Sequence, residues 1–145
     1  MRIRRYAEFD SPLPSGEIET DDGMGFLQLG GKPQLEAIVE ILNRLGCEAG
    51  PVEEAGDNGW DFVGRLGKTA VWGQITLIER YLFIFAQRGF LGRGDMKKAS
   101  PEFIELLTKL AEAMAQDERF TKVGWLFEDE VTLDNPGAPL PVTED

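Results

Sequence analysis

The side chains best suited to chemistry in this sequence are carboxylates, which occur in three acidic clusters. They lie in residues 16–23, 53–61 and 128–130. Paired carboxylates can hydrolyse glycosidic bonds or bind a hard cation such as Ca²⁺. None of the three clusters has the spacing of either site, and the calcium-loop pattern D-x-[DN]-x-[DN]-G is absent. We therefore expect solvated acidic loops with no metal ion and no catalytic residue.

Histidine and cysteine, the other residues common in active sites, are almost missing. The chain has no histidine, and Cys47 is its one cysteine. This composition removes Ser–His–Asp and Cys–His catalysis and His-based metal sites. Cys47 follows Gly46 at the expected end of a helix, where the helix dipole raises the pKa of a thiol. We expect a buried structural thiol, no cofactor and no enzymatic activity.

A glycine-rich segment at residues 89–98 is the remaining candidate for binding a small ligand. It lies between a predicted strand and a predicted helix, which is where phosphate-binding loops occur. Its glycines match neither G-x-x-x-x-G-K-[ST] nor G-x-G-x-x-G. A small-ligand-binding domain and a carboxylate-based enzyme are therefore the less favoured alternatives.

The charge of the chain restricts its partners. The 145 residues carry a formal net charge of −11, which argues against binding nucleic acid or an anionic membrane and favours a basic protein partner. With 42% hydrophobic and 28% charged residues, the composition is that of a globular domain. We predict one domain at residues 1–133 and a flexible Pro-rich tail at 134–145. No segment predicts a membrane helix or a cleaved signal peptide, so we expect a cytoplasmic protein.

Apolar spacing predicts two amphipathic helices. The first extends over about 33–45, with Pro33 in its first turn and Gly46 as its C-cap. The second extends over about 101–115, with Ser100 as N-cap and Pro101 as the first helical residue. Both helices have one apolar stripe, which predicts that both pack against a sheet.

Three consecutive segments predict an antiparallel β-meander, at about 59–66, 69–77 and 81–88. Gly67–Lys68 fits a two-residue hairpin loop with Gly supplying a positive φ. That loop pairs Phe62 with Gly73 and Val63 with Trp72. With both helices on one face of the meander, the fold class is α+β. Residues 2–9 are a candidate edge strand and residues 26–29 another short strand.

The face of the meander away from the helices carries Trp72. The third strand is apolar on both sides, so it adds either its odd-numbered or its even-numbered side chains to this face. Exposed apolar patches mark interaction sites. The chain's own terminal segments or a second copy of the chain, as a homodimer, are alternatives that would cover the patch. The candidate partner-binding residues, apolar and acidic, are Trp72, Val63, Tyr81, Phe83, Asp21, Asp22, Glu53, Glu54 and Asp57.

These observations favour a non-catalytic acidic domain that binds and inhibits one protein. An immunity protein that neutralises a toxin is an example of this class, by analogy of size and charge. The alternative is a secretion or assembly chaperone that holds an extended segment of its client on the sheet.

Overall fold

The computed structural model describes residues 2–88, 99–131 and 135–143, and it confirms the α+β class. The strands form one seven-stranded sheet and a separate two-stranded ribbon. The helices are Lys32–Arg44 (α1) and Pro101–Ala115 (α2), and the strands are Tyr6–Asp10 (β1), Ile18–Glu19 (β2), Phe26–Gln28 (β3), Glu48–Ala49 (β4), Glu53–Glu54 (β5), Trp60–Leu66 (β6), Thr69–Ile78 (β7), Arg80–Gln87 (β8) and Thr121–Leu126 (β9). Short 3₁₀ turns occupy Gly56–Asn58 and Glu128–Glu130.

The main sheet is antiparallel throughout. Its strand order is β4-β6-β7-β8-β1-β9, and β5 pairs with β6 beyond β4. The three strands of the predicted meander are β6, β7 and β8. Strands β2 and β3 pair only with each other and form the ribbon, which we call the β2–β3 ribbon.

The β6–β7 hairpin has the predicted register. Val63 pairs with Trp72 and Phe62 pairs with Gly73, because the loop contains only two residues and Gly67 has a φ of +60°. A Cβ on Gly73 would lie 2.4 Å from Cε1 of Phe62. Glycine therefore makes room here for the large ring that faces the helices.

The structure confirms the N-cap predicted for α2 and the glycine predicted at the end of α1. In α2, the Ser100 hydroxyl accepts a hydrogen bond from the Phe103 amide at 3.2 Å, as an N-cap does. After α1, Gly46 has a φ of +91°, and the amide of Cys47 donates to the Leu42 carbonyl at 3.0 Å. This is a Schellman motif, which satisfies carbonyl groups left free at the helix end.

The core lies between the helices and one face of the sheet. The sheet contributes aromatic side chains to it, and the helices contribute leucine, isoleucine, phenylalanine and methionine. The buried side chains include Phe9, Phe62, Ile75, Phe83, Phe85 and Trp125 of the sheet and Leu35, Ile38, Leu42, Phe103, Leu107, Leu110 and Met114 of the helices. No helix in the described residues is long and apolar enough to cross a membrane.

The N-terminal strand lies inside the sheet rather than at its edge. Strand β1 pairs with β8 on one side and with β9 on the other. The edge prediction was wrong because it rested on Arg2, Arg4 and Arg5, and these arginines precede the strand. The strand itself buries Ala7 and Phe9 against the helices.

Residues 135–143, part of the Pro-rich segment predicted to be a flexible tail, pack against the sheet. Ala138 and Trp125 exchange two backbone hydrogen bonds, of 2.7 and 2.8 Å. Farther along, Val142 forms a bridge with Ile3, and the Arg4 amide donates to the Pro141 carbonyl at 2.6 Å. Proline carbonyls accept hydrogen bonds like any others, so a Pro-rich composition does not prevent this pairing.

Candidate functional site

The sheet face opposite the helices carries an apolar row that crosses three strands. Val63 of β6 pairs with Trp72 of β7, and Trp72 pairs with Ala86 of β8. Val63 is exposed, Trp72 is partly buried and Ala86 is buried. The Trp72 indole N–H lies 3.4 Å from Oδ2 of Asp61 on the same face. We call this surface the Trp72 face.

Tyr81 and Phe83, which we predicted to contact a partner, lie in the core instead. Phe83 pairs with Ile75, and Tyr81 pairs with Leu77, so both point towards the helices. Phe83 has no exposed surface, and Tyr81 is 7% exposed. Strand β8 instead gives its even-numbered residues, such as Leu82 and Ile84, to the Trp72 face. The sequence could not show which side chains of this strand face the helices, because a strand that is apolar on both faces lacks the alternation of apolar and polar residues.

A charged cluster lies at one end of the Trp72 face. The Arg80 guanidinium contacts Oδ1 of Asp10 at 3.0 Å, Oε2 of Glu8 at 3.5 Å and the Lys122 carbonyl at 2.7 Å. Burial raises the pKa of Glu8, and the positive charge of Arg80 opposes that shift. Arg80 bonds to three groups on β1 and β9, so the cluster cross-links β8 to both of these strands.

The β2–β3 ribbon projects apolar side chains into solvent. Met24 is 86% exposed and Leu27 is 70% exposed, while Ile18 and Phe26 are each about half exposed. A two-stranded ribbon is marginally stable by itself, so it needs attachment to the domain. The Trp60 indole N–H donates to the Leu29 carbonyl at 2.9 Å and supplies one such attachment.

Glycines at the base of the ribbon let it lie close to β7. A Cβ on Gly30 would lie 2.7 Å from Cδ2 of Leu77, and a Cβ on Gly31 would lie 3.0 Å from Cγ2 of Ile75. Gly31 also has a φ of +111°, a conformation that side chains disfavour. Gly30 and Gly31 therefore let the ribbon lie directly against the sheet.

A groove runs between the ribbon and the 3₁₀ turn Gly56–Asn58. It consists of two cavities of about 320 and 370 Å³, which share Phe26, Leu29, Asp57 and Gly59 as lining residues. We call it the ribbon groove. Its other lining residues are Leu27, Gln28, Glu54, Gly56 and Trp60 in the first cavity and Glu17, Gly30, Asn58, Thr76, Leu77 and Ile78 in the second.

Hydrogen bonds from β7 hold the turn that carries Asp57. The carbonyl of Asn58 accepts from Nε2 of Gln74 at 2.9 Å and from Oγ1 of Thr76 at 2.7 Å. Gly59 follows with a φ of +101°, where a Cβ would lie 2.1 Å from the Ile75 carbonyl oxygen. Only glycine fits this position without moving the backbone, so the carboxylate of Asp57 has a fixed platform.

The structure divides the predicted acidic residues among three places. Glu54 and Asp57 line the ribbon groove. Glu53 pairs with Asp61 of β6 and so belongs to the Trp72 face. Asp21 and Asp22 lie at the tip of the ribbon, outside the groove lining. The sequence clusters therefore do not form one acidic patch.

The Asp22 carboxylate organises the ribbon tip. Its Oδ1 accepts from the Thr20 hydroxyl at 2.6 Å and from the Met24 amide at 2.9 Å. These hydrogen bonds, the first above all, lower the pKa of Asp22 below its usual value. The tip therefore carries a negative charge next to the most exposed apolar side chain of the ribbon.

Sequence reasoning missed the apolar half of this surface. Phe26 and Leu27 belong to the short strand predicted at 26–29, and Met24 lies outside it; nothing in so short a run shows which way its side chains face. The available signal was their position in an acidic, glycine-rich stretch that has no apolar periodicity with which to join the core. Ile78 is also exposed. It directly follows the predicted strand at 69–77, and the alternating pattern of that strand does not indicate its exposure.

The remaining candidates within residues 2–88, 99–131 and 135–143 form no further site. Cys47 is buried, as expected, and burial raises the pKa of its thiol. Among the described residues, no three Asp, Glu or Cys side chains lie close enough together to hold a metal ion. The glycine-rich segment at 89–98 lies outside the described residues. Comparisons with protein-family models, curated proteins and solved structures found no match to this chain.

Proposed function

We propose that this protein is a non-catalytic acidic domain that binds and inhibits one basic protein through the β2–β3 ribbon and its groove. The observation that supports this proposal most directly is the exposure of Met24, Phe26 and Leu27 on an attached ribbon. Exposed apolar patches with a polar rim are typical of protein-binding surfaces. An immunity protein that neutralises a toxin is the example of this class that we favour.

The acidic rim supports a basic partner. Glu17, Glu54 and Asp57 line the groove, and Asp22 lies at the ribbon tip. The net charge of −11 gives the whole molecule a field that attracts a basic protein and accelerates the encounter. A cytoplasmic location is part of this proposal, and the solitary thiol of Cys47 is what supports it.

The test starts from the tagged protein, purified from its native cells at low salt. A basic protein recovered in a one-to-one complex would then be produced separately and titrated against three versions of the chain. We expect the variant Met24→Ser/Leu27→Ser to keep its melting temperature, since both side chains are mostly exposed, and to weaken binding at least about tenfold. Val63→Ser, an exposed position on the Trp72 face, is the matched control.

The outcomes separate the two surfaces. Loss of binding in the ribbon variant with normal binding in Val63→Ser supports the proposal. The opposite pattern would move the partner to the Trp72 face. Recovery of no basic protein, or binding by the ribbon variant at wild-type affinity, would contradict the proposal.

A secretion or assembly chaperone is the second candidate, and the apolar character of the ribbon favours it. A chaperone that holds its client through apolar contacts should bind almost equally well at low and high salt. An inhibitor steered by charge should show an association rate that falls steeply as salt increases. Stopped-flow association at about 50 and about 500 mM salt distinguishes them.

A further inference from the structure

The ribbon groove combines an aromatic side chain with carboxylates that have no partner among the described residues. Phe26 and Asp57 line both of its cavities, with Glu54 in one and Glu17 in the other. Neither cavity is lined by a lysine or an arginine in the part of the chain that the structure describes. The nearby Lys32 has its Nζ 5.1 Å from the centre of the Trp60 ring and lines neither cavity.

Within residues 2–88, 99–131 and 135–143, these carboxylates make no ion pair and no side-chain hydrogen bond. The ion pairs found there involve Glu8, Asp10, Glu40, Glu105, Asp117 and Glu128. Asp57 nevertheless lies on a turn whose backbone is fixed by Gln74 and Thr76. A carboxylate held on a rigid turn without a cation loses less entropy when it accepts one from a partner.

We propose that the ribbon groove binds an arginine side chain of the partner protein, an inference that rests on the function proposed above. A guanidinium group is weakly hydrated, pairs with carboxylates through parallel hydrogen bonds and stacks on aromatic rings. Asp57 and Glu54 supply the carboxylates, and Phe26 supplies the ring. The methylene groups of the arginine pack against Leu29 and Leu77, as the stems of long cationic side chains do on apolar surfaces.

Lysine fits the groove less well. Its ammonium group is compact and strongly hydrated, and it cannot lie flat on the Phe26 ring while it forms two parallel bonds to one carboxylate. A difference in affinity between arginine and lysine therefore tests the geometry of the groove. Equal affinity for both would show only that the surface is acidic.

The experiment uses N-acetyl-arginine methylamide as the probe and its neutral isostere N-acetyl-citrulline methylamide as the control. Each is titrated into ¹⁵N-labelled full-length protein at about 50 mM salt, where charge pairing is weakly screened. We expect saturable shifts of the Gly59 amide and the Trp60 indole N–H with the arginine compound. Citrulline should produce none over the same range, and the lysine analogue should bind at least about threefold more weakly than arginine.

Two variants with the same change of charge show where the probe binds. Asp57→Asn should weaken arginine binding at least about fivefold, and Asp21→Asn, at the ribbon tip outside the groove, should leave it unchanged. Absent shifts with arginine, equal shifts with citrulline, equal affinity for lysine, or equal effects of the two variants would each overturn the inference.

The same variants separate failure of this inference from failure of the proposed function. If the recovered partner binds normally to Asp57→Asn but not to Met24→Ser/Leu27→Ser, the ribbon is the binding surface and the arginine site is wrong. If the partner binds both variants normally, the proposed function fails at this surface whatever the arginine probe does.

Discussion

Replacing Gly59 by alanine should destabilise the turn that carries Asp57 far more than the same change at Gly56. Gly59 has a φ of +101°, and a Cβ there would lie 2.1 Å from the Ile75 carbonyl oxygen, so the backbone must move. Gly56, three residues earlier, has a φ of +61°, and a Cβ added there would meet nothing within 4 Å. Both positions have a positive φ, but Gly59 also has a ψ of −123°, outside the left-handed region, and only Gly59 has the clash.

The expected magnitudes follow from what each alanine must disrupt. A left-handed conformation costs an ordinary L-residue about 1–2 kcal/mol, which is the whole cost at Gly56. At Gly59, moving the turn also threatens the hydrogen bonds that the Asn58 carbonyl accepts from Gln74 and Thr76, each worth about 1 kcal/mol net. We therefore expect a loss of about 3–4 kcal/mol for Gly59→Ala and about 1–2 kcal/mol for Gly56→Ala.

Urea unfolding at pH 7, followed by tryptophan fluorescence, measures both values. Trp60 lies next to Gly59 and packs into the core, so its emission reports the unfolding of the sheet. A Gly59→Ala variant within about 1 kcal/mol of Gly56→Ala, with an unchanged denaturant slope, would refute the clash and the rigid platform inferred from it. The arginine-induced shift of the Trp60 indole N–H should also disappear in Gly59→Ala.

Three further predictions test other parts of the structure. Trp72→Ala should cost about 1–2 kcal/mol of stability, because its side chain is only partly buried, whereas Phe62→Ala in the core should cost about 3–5 kcal/mol. Chemical denaturation of both variants measures the two losses, and equal losses would place Trp72 in the core. Asp117→Asn should cost about 1 kcal/mol of stability at pH 7, because the Arg119 guanidinium lowers the pKa of the Asp117 carboxyl. This loss of stability relative to the wild type should disappear as the pH falls below the usual pKa of 3.8. A loss that does not depend on pH would contradict the ion pair. Truncation before residue 135 should lower the melting temperature by about 10 °C through the loss of at least four backbone hydrogen bonds, and an unchanged melting temperature would show that this segment adds no stability.

The sign of the pH effect follows from the direction of the pKa shift. The pKa of Asp117 is lower in the folded protein than in the unfolded chain, so its contribution to stability is present above the unfolded value and is lost on acidification. Burial raises the pKa of Glu8, which acts in the opposite direction: protonation of Glu8 favours the folded state as pH falls. The Asp117→Asn difference isolates the first effect because Glu8 is the same in both proteins.

The sequence predicted the hairpin register and the helix boundaries, because residues close together in the chain determine both. The two-residue loop at Gly67–Lys68 sets the register of β6 and β7, and the pairing of Phe62 with Gly73 follows from it. Ser100 and Gly46 mark helix boundaries because a helix end needs partners for its free amides and carbonyls.

Where several arrangements satisfied the same local chemistry, the sequence could not choose among them. Strand β8 is apolar on both faces, and only its pairing with β7 directs Phe83 inward and Ile84 outward. Strand β1 lies between β8 and β9, where Tyr6 pairs with Leu126. The two residues are far apart in the sequence, so no local pattern indicates this pairing. The ribbon groove was not predictable either, because Phe26 and Asp57 line the same cavities through tertiary contacts that neither segment specifies alone.

The Trp72 face and the ribbon groove are linked through β7, which contributes residues to both. Its odd-numbered residue Ile75 packs into the core, whereas Gln74 and Thr76 point the other way and hold the carbonyl of Asn58. A partner lying on the Trp72 face would therefore contact the side chains that position Asp57. Changes at Gln74 or Thr76 should alter binding in the groove without touching the core, which links the polar residues of an open sheet face to the geometry of the proposed arginine site.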